Sequence, residues 1–83
     1  MNVLFGKTVV NVKSVQTYPG RVRCGDFLIF GGTMHKVLTV QPGCPDIVDL
    51  HHSFTHYVTE NADGSTQMIR SDAHKVNVLR RAR

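Results

Sequence analysis

Residues 51–56 read HHSFTH and hold three of the chain's five histidines. Imidazoles ligate metals, relay protons and titrate near pH 6–7, so this stretch is where chemistry would first be sought. A metalloprotease helix needs His-Glu-x-x-His, with two ligands one turn apart and a carboxylate base beside the first. His52 and His56 have that spacing, but Ser53 stands where the glutamate would be. The surrounding Val, Thr and Tyr favour a strand instead. A strand sets His52, Phe54 and His56 on one face and separates the two imidazoles by about 13 Å, at ~3.3 Å per residue. Each ligand of a zinc ion must come within about 2.1 Å of it, so a regular strand cannot bring this pair to one metal. Phe54 in or near the core, with His51, His52 and His56 around it, is the expected content of the stretch.

The remaining candidates for chemistry are weaker. Cys24, Cys44, His35 and one of His51 or His52 are ligand types that suit zinc. No C-x-x-C or H-x₃₋₅-H pair other than His52/His56 organises them. Two thiols twenty positions apart could form a disulfide, yet in a cytoplasmic chain they would stay reduced. Cys–His nucleophilic catalysis needs a base within hydrogen-bond reach and a pocket, which a domain of 83 residues filled by its own side chains rarely offers. Gly31-Gly32 lacks the lysine and following helix of a phosphate loop. The expectation is a protein without catalytic residues, metal or cofactor.

Charge points further. Ten Lys and Arg against six Asp and Glu give a formal charge of +4, which favours an anionic partner. Arg21 and Arg23 alternate on the strand entering Gly25 and should point to one side. Tyr18 stands just before them, where a base could stack while the arginines meet phosphates. Tyr57 is a second stacking candidate. Lys36, Arg80 and Arg81 complete the candidate nucleic-acid-binding set, the last two on an expected basic tail over 80–83. Lys7, Lys13, Arg70 and Lys75 are scattered more widely. The competing expectation is a protein-interaction module, because Phe5, Phe27, Phe30 and Phe54 with many Val, Leu and Ile could leave an apolar patch at the surface.

Positioning these residues requires a fold, and the chain length allows one domain, residues 1–83. Apolar residues at 41% and charged residues at 19% suit a folded chain. No apolar run approaches the ~18 residues of a membrane span, and the start MNVLFGKTVV lacks the pattern of a signal peptide, so the expected location is cytoplasmic. Monomer or weak homodimer is the expected state.

Short apolar blocks separated by turn signals every eight to twelve residues describe an all-β domain. TVVNVKSV (8–15) reads as a strand, and Tyr18-Pro19-Gly20 as a turn with Gly20 at positive φ. GDFLIFGGTMHKVLTV (25–40) is a hairpin through Gly31-Gly32, pairing Phe30 with Thr33, Leu28 with His35 and Ile29 with Met34. QPGCPD (41–46) should be a loop, since two prolines and a glycine do not hold an interior strand. A strand follows from Ile47 to Glu60, long enough to carry a bulge near the histidines. Asn61 to Gly64 then turns it back, so that Val58 faces Met68 and Tyr57 faces Ile69. Ser71 to His74 suits one helical or 3₁₀ turn before a last strand, Lys75–Leu79.

Gly25-Asp26-Phe27-Leu28, Gly31-Gly32, the return Val37 to Val40, the Asp-Gly turn and the final Val76 to Arg80 together resemble short SH3-like β-barrel proteins of bacteria and their phages. That resemblance implies an all-β, five- to six-stranded barrel with one short turn before the last strand. Barrels of this kind bind nucleic acid, peptides or proteins, and the resemblance carries no site residue with it.

Overall fold

The computed structural model describes residues 1–45 and 53–82, with 42–45 followed through the backbone alone. Among these residues seven strands form one antiparallel sheet: β1 (Asn2–Phe5), β2 (Thr8–Thr17), β3 (Phe27–Phe30), β4 (Thr33–Pro45), β5 (Ser53–Glu60), β6 (Thr66–Ser71) and β7 (Val76–Arg81). Their order is β1-β2-β7-β3-β4-β5-β6, so the last strand inserts between β2 and β3. The hydrogen-bonded order is open, with β1 and β6 at its ends, rather than a closed barrel of five or six strands.

The two central hairpins follow local turn chemistry. Gly31 and Gly32 take φ +60° and +76°, the pattern of the mirror-image turn that matches strand twist. They fix Phe30↔Thr33, Ile29↔Met34 and Leu28↔His35 in register. Gly64 at φ +89° closes the Asn61 turn, with its N–H donating to the Asn61 carbonyl at 3.0 Å. Val58↔Met68 and Tyr57↔Ile69 follow from it. Ser65 donates its hydroxyl and its N–H to Asp63 at 2.6 and 2.9 Å, which holds the Asp63 carboxyl below its ordinary value.

An additional hairpin joins β1 to β2 through Gly6-Lys7, with Phe5 opposite Thr8. Gly6 alone takes positive φ there, +62°. Its Cα lies against the β5–β6 turn so closely that a Cβ would stand 2.8 Å from the Ala62 carbonyl oxygen. The β1–β2 tip and the β5–β6 turn therefore meet, although no ladder joins their strands.

Four expectations are corrected. Residues 41–45 continue β4 instead of looping, because the register breaks between Gln41 and Cys44 and so takes Pro42-Gly43 out of the ladder. Gly20 has no positive φ. Pro19–Arg21 form a 3₁₀ turn, with the Val22 N–H donating to the Pro19 carbonyl at 3.2 Å. No helical turn precedes the last strand, because the Ser71 hydroxyl accepts the Ala73 N–H at 3.2 Å and turns the chain by itself. Arg80 and Arg81 belong to β7 and not to a tail beyond the fold.

Adjacent residues of a strand point to opposite faces, so Phe27-Leu28 and Val78-Leu79 each supply both sides of the sheet. Leu28, Val37, Tyr57, Ile69, Val76 and Val78 pack on one face with Val22 from the β2–β3 connection. Val10, Val12 and Phe27 pack on the other, beneath Val3 and Phe5 of the β1–β2 hairpin, with the rings of Phe5 and Phe27 5.1 Å apart.

Candidate nucleic-acid interface

The β2–β3 connection carries Tyr18, Arg21 and Arg23, and the structure shows what holds it. Gly25 at φ +95° makes a bulge at the start of β3: its N–H and the Asp26 carbonyl both pair with Val37, at 2.8 Å each. The bulge turns the Asp26 carboxylate inward, where the residue is 3% exposed. Arg80 of β7 meets it with two parallel bonds, Nε to Oδ1 at 3.0 Å and Nη2 to Oδ2 at 2.8 Å. The Arg23 N–H donates to Oδ2 at 2.9 Å, and Arg80 Nη2 also reaches the Arg21 carbonyl at 3.3 Å. Two-pronged Arg–carboxylate pairing of this kind fixes geometry as well as charge. Its hydrogen bond holds the Arg80 guanidinium above its ordinary value.

One ion pair thus ties residues 21–26 to the last strand. Arg80, expected at the nucleic-acid surface, lines a surface cleft while its Nε and Nη2 are engaged by Asp26 and the Arg21 carbonyl. Arg21 and Arg23 remain exposed while Val22 between them is buried, so the alternation read in the sequence holds without a strand beneath it. The connection leaves β2 where Thr17 pairs with Val76 and enters β3 where Phe27 pairs with Leu79. It is tied to β7 through Arg80, its 3₁₀ turn packs against β4, and Tyr18, Arg21 and Arg23 form an exposed row along it.

At one end of the row Tyr18 is 51% exposed, with the His74 ring edge-on at 6.2 Å and Lys75 Nζ 5.9 Å from its centroid. At the other end a cleft of about 460 Å³ is lined by Lys13, Arg23, Arg80 and Arg81, and its one carboxylate among the described residues is the Asp26 already paired with Arg80. Lys13 lies directly opposite Arg80 across the β2–β7 ladder. Like charges opposed in this way repel unless one is neutralised, which Asp26 does.

Lys36 is not part of this row. It is half-buried on β4 opposite Phe27 and Glu60, on the face that carries Phe27, in a cleft it shares with Lys7, Glu60 and Asp63. Arg81 borders both clefts. Tyr57 is fully buried and offers no stacking face. Lys13 and Lys75 join the row although sequence alone did not group them, because only the pairing of β2 with β7 and the turn after β6 bring them there.

The histidine-rich stretch is described from Ser53 onward, and the expectations for His51 and His52 lie outside the described residues. His56 is half-buried on β5, opposite Gln41 and Arg70. Phe54 is half-buried, with the Arg70 guanidinium 4.5 Å above its ring. His35 is buried, and its Nδ1 donates to the Asn61 amide oxygen at 2.7 Å. Asn61 passes the connection on through its amide nitrogen to Ser65 and Gln67, at 3.0 Å each. Cys24 is exposed and unbridged. Among the described residues no three of His, Cys, Asp and Glu come together as metal ligands would, and no helix is long and apolar enough to cross a membrane.

Comparison with protein-family models, with curated proteins and with solved structures finds no match to this chain.

Proposed function

We propose that this chain is a non-enzymatic binding module of the cytoplasm, related in architecture to the small SH3-like β-domains, and that its ligand is nucleic acid. The observation that carries the reading is the row Tyr18, Arg21, Arg23, continued by Lys13 and Arg81. It is exposed and basic, and an internal ion pair holds it against β7. A pinned backbone costs less to order on binding than a free loop does. The Asp26 carboxylate of the Lys13 cleft is already neutralised, so the field at that end is positive and suits phosphate oxygens. Tyr18 adds a flat apolar face at the other end, where a base can stack.

The test is a binding titration of an unstructured oligonucleotide, dT12, at ~50 mM salt. Arg21→Glu/Arg23→Glu should bind at least tenfold more weakly while melting like the parent, since both side chains are exposed. No binding by the parent protein would end the nucleic-acid reading. Unchanged binding by the double variant would move the site elsewhere on the surface.

A further inference from the structure

The pairing of β3 with β7 covers only Phe27↔Leu79 and Leu28↔Val78. Beyond that point Ile29 and Phe30 pair with β4 alone, while Val76 and Asn77 pair with β2 alone. The two strands part there, and a groove of about 480 Å³ opens between them. Leu28, Ile29, Phe30 and Val76 give it apolar walls, and Lys75 and Asn77 stand among its polar lining residues. Among the described residues no carboxylate lines it. Phe30 is 49% exposed and shares the face of Leu28, so one large apolar side chain faces water at its mouth.

Tyr57 also lines the groove, and its hydroxyl is buried without a hydrogen-bond partner among the described residues. A buried phenol without a partner costs free energy that a strand core of Val and Leu would not, and Phe would fill the same space. Burial raises its pKa above the ordinary 10.0, an effect the neighbouring Thr55 hydroxyl partly offsets, so the group is a neutral donor at physiological pH. The groove shares Ser71 and Ala73 with the cleft beside Tyr18 and His74, a cleft that also has Asp72 on its wall. Lys75 lines the groove and also approaches the Tyr18 ring. The groove is therefore continuous with the Tyr18 end of the basic row.

We infer that this groove takes one unstacked base, stacked on Phe30, and that the ligand is therefore single-stranded nucleic acid. The inference rests on the nucleic-acid reading above and narrows it. A flat ring matches an apolar slot, and Lys75 with the row beyond it meets the attached phosphates. A base held in a duplex presents neither its face nor its pairing edge, so duplex should be excluded.

The experiment compares dT12 with a 12-base-pair duplex on the same protein, by fluorescence anisotropy and by amide shifts in two-dimensional NMR. Single strand should bind at least tenfold more tightly, with shifts at Phe30, Ala73 and Val76. Phe30→Ala should weaken dT12 roughly 10- to 100-fold, and Phe30→Trp should restore it. Equal affinity for duplex would overturn the inference. So would full dT12 affinity in Phe30→Ala when Arg21→Glu/Arg23→Glu is impaired, which leaves the basic row standing without the base site. Shifts at Phe30 and Val76 with a Leu/Phe-rich decapeptide, and none with dT12, would give the groove to a protein ligand instead. Failure of every nucleic acid to bind would remove both readings together.

Discussion

Two residues carry the most information. Tyr57 is fully buried and its hydroxyl has no partner among the described residues, so Tyr57→Phe should leave stability unchanged or raise it by about 1 kcal/mol. The same substitution should alter the alkaline limb of the stability profile. The folded-state pKa of Tyr57 lies above the 10.0 of an unfolded phenol, so its contribution is fully present below pH 10. Above that the unfolded chain releases the proton first, and stability falls as pH rises toward the folded value. Urea melts of both proteins between pH 9 and 11 should show the steeper loss in the parent. Arg80 is the opposite case. Arg80→Ala would leave the Asp26 carboxylate in a nearly buried site with only the Arg23 N–H for company. Breaking a buried pair costs about 3–5 kcal/mol, and the 20% exposure of the Arg80 side chain brings the expected loss to about 2–4 kcal/mol by chemical denaturation. Neither role was legible in the sequence. Arg80 and Asp26 are 54 positions apart, and nothing local marks an arginine that will be used inside the fold.

At the scale of elements, local chemistry was readable and long-range pairing was not. Gly31-Gly32 and Asn61–Gly64 dictate their hairpins through φ alone, and with them the register of β3 with β4 and of β5 with β6. Gly6-Lys7 carried a similar Gly-first hairpin signal between NVLF and TVVN, and it was the missed cue for β1. The run through Pro42-Gly43 misled for a definite reason: turn residues mark a bulge as readily as a loop, and only the partner strand decides between them. The insertion of β7 between β2 and β3 depends on pairings across most of the chain, which no window of sequence contains. Gly6 also tests the meeting of the two turns. Gly6→Ala must bear an L residue at φ +62° and a Cβ 2.8 Å from the Ala62 carbonyl, so it should cost about 2–3 kcal/mol. Gly31→Ala has a similar φ but open space around it and should cost about 1 kcal/mol. Equal losses in thermal melts would mean that the β1–β2 tip does not bear on the β5–β6 turn.

For the whole molecule, the formal charge of +4 indicated a class of partner without locating a site. The fold sorts that charge. Arg80 is neutralised by Asp26, Arg70 covers Phe54, and Lys36 stands among Glu60 and Asp63. Tyr18, Arg21 and Arg23 could be grouped from their spacing, because three positions so close in sequence cannot be carried far apart. Lys13 and Lys75 were not grouped with them, because the last strand alone brings them in. The central claim is that this sorted charge meets phosphates, and salt dependence tests it most directly. With ~3–5 phosphate contacts to a single strand, log K for dT12 should fall against log[salt] with a slope of roughly −2 to −4, and Arg21→Glu/Arg23→Glu should flatten it by at least 1. Affinity independent of salt between ~50 and ~300 mM, or no affinity at ~50 mM, would contradict the account.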